Sequence, residues 1–279
     1  MKYVAISALL LFGMAACAGP GAVTPKKGLM YEMPETSSVV YVSESSQDVS
    51  IDVPGMGPMN VQGASQATMA LSFVPVESGV QVTVTFETLN ASLSNPMAGP
   101  VTASESDIDG DLVFTLDERG RGTVVTVPEV KGDAEQLVTP ASFAYEFFPR
   151  LPGMSVNAGD VWTDTIQYDV EAAGGTTTTE SVLTYTLAGD TVVGGATLLH
   201  VTYEGETEVV SQVLNQGMEM IQAASGTVTG MFLWDPARSL MVFTESSVDL
   251  DGSVEVPAAG MGAMPLTVTG SGTVQLQGG

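Results

Sequence analysis

The chain is written largely in twos. In "GVQVTVTFE" the apolar Val80, Val82, Val84 and Phe86 take every second place, with Gln81, Thr83, Thr85 and Glu87 between them. That is the period of a strand with one face buried and the other in water. The same period puts Leu112, Phe114 and Leu116 of "DLVFTLD" on one face, and likewise Leu183, Tyr185 and Leu187 of "SVLTYTLAGD". Such segments recur to the end of the chain between clusters of Gly, Asp, Asn and Pro, so the expected fold is all-β, built on a large antiparallel sheet.

Two segments depart from the alternation. "TPASFAYEFFP", residues 139–149, offers Thr139 as a cap, Pro140 at the first helical position and Pro149 as a stop, which predicts one short aromatic-rich helix serving as a plug or lid. "TEVVSQVLNQGMEMI" spaces Val209, Val210, Val213, Leu214, Met218 and Ile221 nearly as a helix would, yet Gly217 falls inside it and β-branched residues are frequent. A hairpin turning at "NQG" is expected, with a helix as the alternative.

One stretch occurs twice. "SESSQDVSIDVPGMGPM", residues 43–59, returns as "TESSVDLDGSVEVPAAGMGAM", residues 244–264. Glu44, Ser45, Ser46 and Asp48 match Glu245, Ser246, Ser247 and Asp249, and the matches resume at Val53 with Val256 and run to Met59 with Met264. Two copies are too few for a solenoid or propeller; they suit a pseudo-symmetric sheet, strongly curved or closed as a partial β-barrel. Residues 31–279 then form a single β domain, its halves 31–147 and 161–279 joined by the Pro/Gly-rich "FPRLPGMSVNAGDVW". In that connector Leu151 and Pro152 precede Val156, Gly159, Asp160 and Trp162 as L-P followed by V-x-x-G-D-x-W. The pattern resembles a stretch of uncharacterised secreted and lipid-anchored bacterial β proteins, which implies class and no activity.

The N-terminus has a different character. Met1 and Lys2 lead into the apolar "YVAISALLLFG" and then into small residues, the layout of a signal peptide over residues 1–16. The run is shorter than the about 20 apolar residues a membrane span takes. It ends at Cys17, the one cysteine of the chain. "MAAC", Met14 to Cys17, resembles the lipobox of bacterial lipoproteins, which implies cleavage before Cys17 and acylation of that residue with palmitate-type chains. Residues 17–30 would then be a lipidated N-terminus and tether, and two or more acyl chains hold a protein stably at a membrane without crossing it. Ala18 after the cysteine, where aspartate would retain the product, implies an outer membrane if the cell has one.

Charge sharpens this picture. Removing residues 1–16 takes Lys2 from the 8 lysines and arginines and leaves the 32 acids, for a formal charge of −25. Such a surface repels nucleic acid. Lys26 and Lys27 sit beside the anchor, where each would add about 1 kcal/mol of attraction to anionic lipid. With the lone cysteine committed to lipid, no disulfide is available and stability must come from a core.

Candidate chemistry is sparse. His200, the single histidine, alternates out of phase with Leu199, Val201 and Tyr203 and is expected on the solvent face. There is no G-x-S-x-G elbow and no histidine pair for zinc, so no catalytic residue, metal or cofactor is assigned. Asp107, Asp109, Asp111 and Glu118 have calcium-loop spacing, but Leu112 stands where the sixth-position glycine is needed, so "DIDG" and "DLDG", residues 249–252, are expected to be hairpin turns. Met56, Met59, Met261 and Met264 form two M-x-x-M pairs; two thioethers alone make a poor Cu(I) site, and these methionines are candidate apolar contacts to a lipid or protein partner. The sequence therefore points to a non-enzymatic lipoprotein of the cell envelope with a binding or structural role. The alternative is a carrier of lipid or another apolar molecule, resembling the bacterial lipoprotein-transport and lipid-carrier proteins that pair a curved sheet with a helical lid.

Overall fold

The computed structural model describes residues 28–95, 99–172, 174–215, 218–257 and 261–278. The first half carries β1 (Ser38–Val53), β2 (Gly57–Val76), β3 (Gly79–Asn95), β4 (Gly99–Ser104), β5 (Ile108–Asp109), β6 (Leu112–Leu116), β7 (Gly122–Thr126) and β8 (Glu129–Val130). One α-helix, α1 (Pro140–Glu146), follows, with Thr139 at its N-cap and Pro140 opening it as expected. The second half is all strand: β9 (Val161–Ala172), β10 (Gly175–Val193), β11 (Ala196–Asn215), β12 (Met218–Asp235), β13 (Leu240–Val256) and β14 (Met261–Leu276). The segment for which a helix was the alternative is the β11–β12 hairpin, paired from Leu199 with Trp234 to Asn215 with Met218.

Twelve strands make one antiparallel sheet in the order β7-β6-β3-β2-β1-β14-β13-β12-β11-β10-β9, with β4 beside β3, and the sheet curls through 272° as a half-barrel. The repeated stretches are its β1–β2 and β13–β14 hairpins, and β1 pairs directly with β14. Matching residues keep matching faces. Glu44 and Glu245 point outward, whereas Ser45 and Ser246 line the inner surface.

Glycine makes the tight curl possible on its β10–β13 side. A Cβ at Gly205 would fall on the Val182 carbonyl oxygen of β10, and one at Gly226 on that of Asp249 in β13. Neighbouring strands approach too closely there for any side chain, so these glycines mark where the sheet bends. Gly252 belongs to the same set, its Cβ position occupied by the Ala223 carbonyl. This corrects the expected turn at "DLDG", because Asp249 to Gly252 run through the middle of β13. "DIDG" is also not a hairpin: β5 pairs with β8, while β6 pairs with β3 and β7.

The main core gathers at one end of the curl. There Tyr31 meets Trp234 edge-on at 4.9 Å and Tyr41 meets Phe147 at 5.2 Å, while the Tyr41 hydroxyl donates to the Met241 carbonyl at 2.7 Å. A second cluster, with Leu250, Val254, Met264 and Leu266, lies on the inner face toward the opposite end. The body also starts earlier than composition suggested. Leu29, expected in the tether, is buried and bridges to Met154.

Candidate functional site in the hollow of the sheet

A sheet curled through 272° leaves a gap between its edges, and α1 lies in that gap against β7 and β9. Gly122 of β7 lets the helix approach, since a Cβ there would collide with the Ala144 carbonyl. On the other side Tyr145 stacks on Tyr168 of β9 with centroids 4.8 Å apart and planes 3° from parallel, and the Tyr168 hydroxyl donates to the Glu146 carboxylate. Below the helix, Arg119 and Arg121 reach Asp164 of β9 at 3.0 and 3.1 Å, closing the same gap with charge.

The connector completes the closure. Arg150 is buried, its Nη2 donating to the Tyr145 carbonyl at 2.9 Å and its Nη1 to the carbonyls of Gly120 and Phe148. Its planar fork suits three carbonyls at once, which a lysine could not serve. The residues of the L-P/V-x-x-G-D-x-W pattern have structural work here: Leu151 is buried, Gly159 donates to the Leu187 carbonyl at 2.7 Å, and Trp162 donates to the Arg150 carbonyl at 3.1 Å.

Beside this closure the inner face partly surrounds a solvent-open hollow of about 580 Å³, a volume within the range of small-molecule sites. Its shape follows from one layer of residues paired across the sheet. Trp162, Tyr185 and Tyr203 occupy three successive strands, and Gly230, Ser246, Gly272, Ser45 and Ser65 continue the layer. Aromatics fill one side, the Tyr203 ring covering Gly230, while Ser246, Gly272 and Ser45 leave space. Ile166, Val228, Val248, Leu250, Val268 and Val274 give the walls their apolar surface. Hydroxyls interrupt it: Ser181 and Thr207 share a hydrogen bond at 2.7 Å, and Ser45 and Ser65 another at 2.8 Å.

Among the described residues Glu146 is the one carboxylate lining the hollow. By surface area Glu146 is exposed, yet protein crowds its carboxyl, and this partial dehydration raises its pKa despite the Tyr168 hydrogen bond and the nearby Arg150 charge. Burial first, and the Glu146 charge second, raise Tyr168 further above the usual phenol value. Burial likewise raises Tyr185 and Tyr203, so the phenols of the hollow stay protonated and able to donate.

The residues singled out from sequence lie elsewhere. Cys17 is outside the described residues, as is the side chain of Met261. Met56 is 70% exposed at the β1–β2 turn and Met59 is half-buried, but Met264 is 5% exposed within the second cluster and is core rather than contact surface. His200 lines a shallow outer depression with Thr202 and Glu204. The calcium-like acids diverge: Asp107 accepts from Ser104, Asp109 pairs with Lys131 and Asp111 accepts from Thr85. Sequence reasoning missed Glu146, Tyr168 and Asp164. A signal for Asp164 was present, since Trp162, Asp164, Ile166, Tyr168 and Val170 share the inner face and an acid there needs a partner.

No protein-family model matches the chain, and no curated protein does. Among solved structures, DynF from the dynemicin biosynthesis pathway of Micromonospora chersina aligns with 91% of this chain and 86% of its own, at 8% identity and a TM-score of 0.28. OpdQ of Pseudomonas aeruginosa aligns with 86% of this chain and 98% of its own, at 8% identity and a TM-score of 0.20. Neither likeness is close enough to bear on function. Among the described residues no helix is long and apolar enough to cross a membrane.

Proposed function

We propose that this chain is a non-enzymatic binding protein of the bacterial cell envelope, held to the membrane by acylated Cys17 and carrying an apolar ligand inside its curled sheet. The observation that carries this reading is the hollow itself. A curled sheet that only had to be stable could pack its concave face and gain dispersion contacts there. Here serines and glycines stand at inner positions where larger apolar residues would close the space. The lipobox-like "MAAC", the single cysteine and the two lysines of the tether support the membrane address.

Native mass spectrometry of the full chain tests the carrier function. A ligand adduct of apolar composition should survive purification and disappear from Ser246→Phe and Val248→Phe variants that fold normally by circular dichroism. A ligand-free wild type, or an adduct unchanged by both variants, would overturn it. Labelled palmitate tests the anchor independently: wild type should take up label and Cys17→Ser should not.

A further inference from the structure

The electrostatics of the hollow narrow its occupant. We infer, building on the carrier reading, that the ligand is an uncharged amphiphile bearing hydroxyl or carbonyl groups, and that anionic lipids are excluded. Among the described residues no lysine, arginine or histidine lines the hollow, and Glu146 places a carboxylate in its wall. The Arg150 guanidinium is buried outside this lining, with both terminal nitrogens donating to carbonyls. From β9 to β14 the chain supplies one lysine or arginine, Arg238, whose side chain is bound to Asp235 at 2.6 Å, and one histidine, His200, on the outer face. An anionic headgroup would therefore meet no basic side chain in the described lining, only the field of Arg150 that Glu146 already shares, in a protein of formal charge −24, and a charge taken from water without a partner is costly.

An uncharged polar group fares differently. The serine, threonine and tyrosine hydroxyls each offer one donor and two acceptor sites, more than their mutual bonds consume. Ser181, Thr207, Tyr203 and Ser246 can thus serve an alcohol, ester or ketone, while Val228, Val248 and Leu250 accept hydrocarbon. Specificity of this kind arises from what the site leaves unpaired in the wrong ligand.

Competition between two ligands of equal chain length tests the inference. The full chain carrying Cys17→Ser, which has no acyl group of its own, is loaded with the neutral dye phenylnaphthylamine and titrated with dodecanol or dodecanoate at about pH 8, where a carboxylic acid is ionised. Dodecanol should displace the dye at a concentration at least tenfold lower than dodecanoate, and Glu146→Gln should narrow that ratio. Equal or better displacement by dodecanoate overturns the inference while leaving the carrier reading intact. Absence of dye binding in the wild type, with binding also absent in Glu146→Gln, defeats the carrier reading and this inference with it.

Discussion

Tyr168 of β9 donates a hydrogen bond to Glu146 of α1, so the helix that fills the gap in the curl is fastened to the edge strand on its far side. The bond sits in the wall of the hollow, beside the Tyr145–Tyr168 ring stack. One contact therefore serves both closure and lining.

Because confinement raises the Glu146 pKa in the folded chain, the folded state holds that proton more tightly than the unfolded one. The associated stability is complete below the ordinary glutamate value of about 4.3 and is lost as pH rises through the folded value. Glu146→Gln keeps an acceptor for Tyr168 and removes the charge. Thermal melts should find the variant more stable than wild type at about pH 7.5, with the difference closing toward about pH 4. A less stable variant at neutral pH would mean that the carboxylate is a net support of the fold.

Asp164 is the charged link across the same gap, its side chain 4% exposed while those of Arg119 and Arg121 are 33% and 49% exposed. Its replacement by asparagine should cost about 2 kcal/mol, between the values for exposed and buried pairs, because the two arginines can turn to water. Urea denaturation would read the loss directly, and a change under about 0.5 kcal/mol would place the pair among idle surface contacts.

The bend of the sheet depends on particular glycines. Gly226→Ala would drive a methyl group into the Asp249 carbonyl, whereas the same change at Gly63 makes ordinary contacts, with Leu93 at 3.6 Å and Gln47 at 3.9 Å. The first should lose about 3 kcal/mol and the second less than about 1, since overpacking a tight site costs in that range and alanine suits a strand better than glycine. Equal effects in urea denaturation would argue that curvature is set elsewhere.

Methionine oxidation separates the two repeated turns. Mild peroxide followed by peptide mapping should convert Met56, 70% exposed, well before Met264 at 5%. Early oxidation of Met264 would indicate that the second cluster opens in solution.

The strands were legible because each declares its own phase, as Leu112, Phe114 and Leu116 do, and all three are buried. The helix was legible for a similarly local reason, with a proline at each boundary of its segment. The hollow was not. Ser45, Ser246 and Gly272 become neighbours only through the pairing of β1, β13 and β14, and nothing local marks them as one layer. Gly252 was mistaken for a turn residue because glycine serves two needs, a positive φ and a close approach, and sequence does not distinguish them. Leu29 was assigned to the tether because its neighbours are Gly and Lys, although its own side chain is core.

Trp162 is placed to report ligand entering the hollow. Its ring stacks on Tyr185 of the lining at 5.5 Å, while Trp234, the other tryptophan, is 1% exposed and packed against Tyr31. A dodecanol brominated along its chain, a contact quencher of indole emission, is titrated into the full chain carrying Cys17→Ser. The account predicts saturable quenching that is largely lost when Trp162→Phe is added and abolished when Ser246→Phe fills the layer opposite. No saturable quenching, or equal quenching in a folded chain carrying Ser246→Phe, would contradict it.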